Sequence, residues 1–110
     1  MNDIAPEDAK LVTLARSVRA RNGSKEGAAV RDLDGRTYNA SEVWLPSLKL
    51  TALEAAVAAA VSSGAEGLEA AVVATDAAAL DEESIRVVRD LSPSGPVIHV
   101  NAAGEFVEQF

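Results

Sequence analysis

The chain contains no cysteine, one histidine and four prolines, and aromatic residues make up only 4% of it. The missing cysteine excludes disulfides, thiolate metal sites and cysteine nucleophiles together. So few aromatics leave little for stacking or for bulky core anchors. Positive charge is also scarce: 10 Lys and Arg stand against 17 Asp and Glu, a net charge of −7. Such a balance speaks against a nucleic-acid binder, which needs clustered cations for phosphates, and against an anionic membrane surface. No long apolar run is present, and the longest, Ala55 to Val61, is too short to cross a bilayer. The stretch from Met1 to Pro6 is polar and acidic and lacks the basic and apolar regions of a secretory leader. A cytoplasmic location is expected.

What is present is small and apolar. Hydrophobic residues make up 48% of the 110 positions, much of that alanine and valine. The length suits one domain, residues 1–110, with its own core. Pro6-Glu7-Asp8 suits the first turn of a helix, and Leu11, Leu14, Ala15 and Val18 continue it at helical spacing. Asn22-Gly23-Ser24 ends it. Gly27 to Leu33 and Arg36 to Ala40 read as two strands joined by Asp34-Gly35, a hairpin signal. Glu42 to Ser47 reads as an irregular loop. Leu48 to Ser63 reads as a second helix, apolar nearly all round and therefore buried, ending at Gly64. Leu68 to Thr75 reads as a central strand covered on both faces. A third helix runs from Leu80 to about Leu91, with Asp81 as its N-cap. Val97 to Asn101 and Glu105 to Phe110 are the last strands. The order α-β-β-α-β-α-β-β predicts an α/β fold, a three-layer α-β-α sandwich around a five-stranded mixed sheet.

Several stretches resemble the small cytidine deaminases, over residues of about 10 to 110. The family pattern Tyr-Ser-x-Phe-x-Val-Gly-Ala-Ala is matched by the run Gly23 to Val30, and Asp34-Gly35-Arg36-Thr37-Tyr38 matches the Asp-Gly turn and the strand after it. The family's central helix, Cys-Ala-Glu-Arg-x-Ala-x-x-x-Ala-x-x-x-Gly, aligns without a gap on Thr51 to Gly64. The strand Ala70 to Asp76 also matches. The Pro-Cys-Gly-x-Cys-Arg helix falls at Leu80 to Ile85, and the Val-Ile-x-x-Asn-x-x-Gly-Glu hairpin at Val97 to Glu105. Order and spacing together imply the cytidine deaminase-like fold.

The chemistry that the resemblance implies is a zinc ion that activates water for attack on cytosine, with a glutamate as general acid and base. The positions that would carry it are occupied otherwise. Thr51 stands at the first ligand, Leu53 at the catalytic glutamate, and Asp81 and Ser84 at the two later cysteines. Hydroxyls are poor neutral zinc ligands, and leucine moves no proton. The nucleoside-binding Asn-x-Glu of the family aligns with Glu42 and Trp44. No catalytic residue, metal ligand or cofactor is therefore assigned from the sequence.

Other chemistry finds blander explanations. Thr51-x-x-Glu54 admits a replacement site, but a threonine tolerated in a helix and a glutamate facing polar surroundings or a neighbouring subunit suffice. Asp81-Glu82-Glu83 admits a hard cation, but acids in the first turn complement the helix dipole. His99 reads as a surface or partly buried strand residue. Trp44 reads as a loop anchor or an interface residue before a stacking platform. The serines have no Gly-x-Ser-x-Gly elbow, and no glycine loop has phosphate-binding spacing.

Three functional readings follow. The first is a cytidine deaminase-fold protein without zinc-dependent activity, acting as a structural or interaction protein. The resemblance implies a homo-oligomer, a dimer or tetramer whose helices meet near the site, and the small residues of Leu48 to Ser63 suit such packing. An unidentified protein partner belongs to the same reading. The second is small-molecule binding or a different reaction in the remnant cleft, with Glu42, Trp44, Glu54, Thr51, Asp81 and Ser84 as candidate lining. The third, residual cytidine deamination, is opposed by the pKa of unactivated water, about 15.7 against about 7 on zinc.

Overall fold

The computed structural model describes residues 4–110; Met1, Asn2 and Asp3, part of the polar, acidic N-terminal stretch, lie outside the described residues. Helix α1 (Pro6–Asn22) starts with a proline, carries Glu7 and Asp8 in its first turn and Arg19 and Arg21 in its last, and stops at Gly23 with φ 60°. Strands β1 (Glu26–Asp32) and β2 (Thr37–Ser41) pair antiparallel. Their turn is organised by the buried Asp32 carboxylate, which accepts the backbone N–H groups of Asp34 and Arg36 and the Tyr38 hydroxyl. Burial pushes this carboxyl up, but the Tyr38 hydroxyl, those two N–H groups and the Arg36 charge outweigh it and leave it below its ordinary value.

The stretch after β2 departs from the sequence reading. Val43 to Leu50 is a hairpin of strands β3 (Val43–Leu45) and β4 (Leu48–Leu50), with Leu45 opposite Leu48 and Val43 opposite Leu50. Pro46 and Ser47 form its two-residue turn. Two three-residue strands are too short for a period of two to register, so their leucines read as the start of the next helix. That helix, α2 (Ala52–Ser62), begins four residues later than expected, because Thr51 is extended, with ψ 164°. The element order is thus α1-β1-β2-β3-β4-α2-β5-α3-β6-β7. The remaining elements are β5 (Leu68–Thr75), α3 (Glu82–Leu91), β6 (Val97–Val100) and β7 (Phe106–Gln109).

The main sheet has five strands in the order β2-β1-β5-β6-β7; β5 and β6 run parallel and the other neighbours antiparallel. The expected mixed five-stranded sheet between helical layers is therefore present. Strand alternation divides the core in two. Ala70, Val72 and Ala74 of β5 face Leu11, Val12 and Ala15 of α1, with Ala29, Ile98 and Val100. Ala71 and Val73 face the opposite layer, with Leu53, Ala56, Val57 and Ala60 of α2 and Val88 of α3.

Helix α2 is not buried all round, as its apolar composition suggested. Among the described residues, nothing covers its outer stripe, where Ala58, Ala59 and Ser62 are exposed and Val61 is 50% exposed.

The α1 layer lies so close to the sheet that a side chain at Gly27 has no room: a Cβ there would stand 2.1 Å from the Ala15 carbonyl oxygen and 2.9 Å from Arg19 Cβ. Replacing Gly27 with Ala is expected to destabilise the fold by about 3 kcal/mol, because backbone and not a flexible side-chain end must move. Urea unfolding of Gly27→Ala measures this, and an unchanged midpoint would contradict the close approach.

Candidate functional site

The four positions singled out around the second and third helices converge in space. Thr51, Leu53, Asp81 and Ser84 line one cavity, together with Glu26, Val73 and Leu80. The β5 strand supplies the floor through Val73. The N-terminus of α2 brings Thr51 and Leu53, and the N-terminus of α3 brings Asp81 and Ser84.

Each polar group there already has a partner within the chain. Thr51 is the N-cap of α2: its Oγ1 accepts the Glu54 N–H at 3.2 Å, and Glu54 Oε1 accepts the Thr51 N–H at 2.8 Å. This reciprocal arrangement is a capping box, and Thr-x-x-Glu ahead of an apolar run is its sequence signature. It accounts for Glu54, which turns back on its own helix end. The same Thr51 hydroxyl shares a hydrogen bond with the Ser84 hydroxyl, Oγ to Oγ 2.6 Å, tying the starts of α2 and α3 together. Asp81 caps α3 as expected, accepting the Glu83 N–H at 2.9 Å. Leu53 is 1% exposed and belongs to the core beneath the cavity.

Glu26 was not singled out from the sequence. It opens β1, and its Oε1 accepts the Ala52 N–H of α2 at 2.9 Å. A carboxylate from the sheet thus sits at the positive end of the helix, where such ends bind anions. Aligning on Gly27-Ala28-Ala29 places Glu26 where the family pattern of the first strand has valine. Only the register, which sets Glu26 opposite Thr75 at this end of the sheet, reveals its place. Burial pushes the Glu26 carboxyl above its ordinary value; the Ala52 N–H pulls it down, and the charges of Glu42, Asp81 and Glu54 push it further up.

The remaining candidates lie elsewhere. Glu42 accepts the Lys25 N–H at 2.8 Å and, with Lys25 and Trp44, lines a separate depression of ≈ 440 Å³. Trp44 anchors nothing onto the core: it is 74% exposed on the β3–β4 hairpin, with the Lys49 ammonium 5.0 Å from its ring centre. His99, read as a surface or partly buried residue, is 1% exposed, because all four residues of β6 are covered. Its Nε2 lies 3.2 Å from the Thr75 carbonyl oxygen.

The cavity volume is ≈ 10 Å³. That is about the space one water needs and far below the roughly 300 Å³ at which small-molecule sites begin. Its donor set does not fit the zinc that the resemblance implies. Two neutral hydroxyls bonded to each other and a carboxylate capping a helix are not the thiolate and imidazole ligands that such an ion takes. Among the described residues, no group of three or more His, Asp or Glu side chains is placed to hold a metal.

The family model described as cytidine deaminase-like matches residues 4–104. No curated protein matches. The chain is similar to the solved cytidine deaminase from Burkholderia pseudomallei, with a TM-score of 0.79 and 23% identity over 92% of this chain and 89% of that one. It is similar to the cytidine deaminase from Mycobacterium leprae, with a TM-score of 0.71 and 20% identity over 88% and 89%. The cytidine deaminase from Bacillus anthracis gives a TM-score of 0.67 and 14% identity over 92% and 80%.

The raised Glu26 carboxyl has a consequence for stability. The folded chain takes up this proton at a higher pH than the unfolded chain does. Between the two values the native state therefore binds more protons, and Glu26 makes stability fall as pH rises. The loss is complete above the folded value. Glu26→Gln keeps an oxygen for the Ala52 N–H and removes the charge, so it is expected to be more stable than the parent at neutral pH. Urea midpoints from about pH 4 to about pH 8 should lose this part of their slope. An equal slope in both proteins would contradict the assignment.

Proposed function

We propose that this chain, which belongs to the cytidine deaminase-like family, is a member that keeps the fold without zinc-dependent deamination and acts through its surface as a structural or interaction protein. One observation carries the reading: the cavity that Thr51, Leu53, Asp81 and Ser84 share has a volume of only ≈ 10 Å³. The convergence of these four residues supports the alignment that puts them at the family's ligand and general-acid/base positions. In this reading Leu53 is core filler at the position of the glutamate. Thr51 and Ser84 are a structural pair at the positions of two ligands, and Glu26 holds the helix end. Neither metal-activated water nor a nucleoside has a place in it.

The alternative, a small molecule bound or transformed in the same cleft, needs an open polar pocket. The hydroxyls and carboxylates that would line it are already satisfied by one another and by helix ends, which speaks for the first reading.

A surface function fits the apolar groups that the fold leaves outside. The outer stripe of α2 offers Ala58, Ala59, Val61 and Ser62, and the β3–β4 hairpin offers Trp44, Leu45 and Leu48. Small residues let helices approach closely, and exposed tryptophan is typical of interfaces. We assign both to contacts between copies of the chain, residues 1–110 acting as one domain of a dimer or tetramer.

Two experiments test this. Metal analysis of the purified protein, run beside a cytidine deamination assay, is expected to give neither stoichiometric zinc nor uridine; zinc with turnover would overturn the reading. Light scattering after gel filtration is expected to give a dimer or tetramer. Ala59→Arg, which places a charge on the outer stripe of α2, should shift that mass toward the monomer. A monomeric parent protein would contradict the assembly.

A further inference from the structure

The chain carries a net charge of −7, yet among the described residues none of the three arginines of α1, Arg16, Arg19 and Arg21, is paired with a carboxylate, and the first two meet in one place. Among the described residues, neither Arg16 nor Arg19 forms an ion pair, whereas Arg31 and Arg36 each bind two acids. Arg16 and Arg19 instead use their Nε–H groups to grip backbone. Arg16 donates to the Ala102 carbonyl at 3.0 Å and Arg19 to the Lys25 carbonyl at 3.0 Å.

Both stems rest on glycines. Arg16 Cδ lies 3.1 Å and one of its terminal nitrogens 3.3 Å from where a Cβ of Gly104 would stand. Arg19 Cβ lies 2.9 Å from the corresponding point at Gly27. The two turns they hold are fixed in their own right. Asp76 Oδ1 accepts the Ala102 N–H, and Glu42 Oε1 accepts the Lys25 N–H, each at 2.8 Å. The guanidinium groups are thus held in place while their outer N–H groups stay available. Together with Thr13, Ser17, Ala20 and Ala102, they line one depression of ≈ 290 Å³ on the α1 face. It shares no residue with the cavity between α2 and α3.

We propose that this depression binds the phosphate group of a small molecule, with Arg16 and Arg19 supplying the charge and Ser17 a hydroxyl donor. Three features support the assignment. Planar guanidinium forks match the oxygens of a phosphate, and two of them suit its double charge. Arginines already ordered by backbone contacts lose little further freedom on binding. Of the acids near the two arginines, Asp76 and Glu42 each accept a backbone N–H of the turn they fix, and carboxylates farther than about 8 Å are screened at physiological ionic strength. A free phosphate ion and a phosphate monoester present the same chemistry to these residues.

The test is a titration of the isotope-labelled protein followed by NMR of the arginine Nε–H and backbone amide signals. The probes are inorganic phosphate and glycerol 3-phosphate, with ionic strength held constant by sodium chloride. Saturable shifts centred on Arg16, Ser17 and Arg19 are expected. Arg16→Gln and Arg19→Gln should each weaken binding by about tenfold or more, the loss typical of a hydrogen bond to a charged group. Arg21→Gln removes the same charge from the same helix outside the depression, and should leave binding within about twofold. Tighter binding of the ester assigns the site to a phosphorylated small molecule, and equal binding assigns it to the phosphate ion itself. Shifts that never saturate, or an equal loss in Arg21→Gln, would reduce the effect to diffuse charge and overturn the proposal. Circular dichroism of each variant confirms that the surface changes leave the fold intact.

Discussion

The first turn of α2 is the constraint on which the rest of this structure depends. A helix start leaves backbone N–H groups without partners, and near a sheet they cannot all turn to water. Here the chain satisfies them itself. Thr51 and Glu54 close a capping box, and Glu26 reaches from β1 to the Ala52 N–H. The Thr51 hydroxyl also bonds to Ser84, so the start of α3 is pinned to the start of α2. Two helix ends and a strand end are thereby fixed around one point. Hydroxyls and carboxylates tie these elements together, and Leu53 packs beneath them.

Small residues make that arrangement possible. β5 turns alanines and valines to both helical layers, and α1 sits close enough to β1 that Gly27 has no space for a methyl group. Close packing of small side chains replaces the few large anchors that the composition denies. The same economy leaves apolar surface uncovered on α2 and on the β3–β4 hairpin. It also leaves the outer face of α1 polar, where Arg16 and Arg19 lie flat on backbone.

Much of this was legible in the sequence, for local reasons. Proline and acids at one end and glycine at the other bound α1, and Asp34-Gly35 marked the turn after β1. The apolar run from Ala70 marked the doubly covered strand. Asp81 announced itself as a cap by preceding two acids and a helical pattern. What was missed depended on pairing across the chain. The β3–β4 hairpin has strands too short to show a period, so its leucines merged with α2. Thr51 was read inside a helix although its Thr-x-x-Glu spacing marks a cap. Glu26 carries no local signal: its role arises because register brings the end of β1 to the start of α2. His99 could not be placed because a four-residue strand does not reveal whether both its faces are covered. The convergence of Thr51, Leu53, Asp81 and Ser84 followed from alignment to a family pattern, and the small volume between them needed three dimensions.

The central claim is that side chains of this protein fill the space where a deaminase would hold its substrate. The most direct measurement is a titration with cytidine, followed through the methyl signals of Leu53 and Val73, which lie at the cavity. The account predicts that neither methyl moves at millimolar cytidine. Saturable shifts at both would show that the cavity opens to a nucleoside and would contradict it.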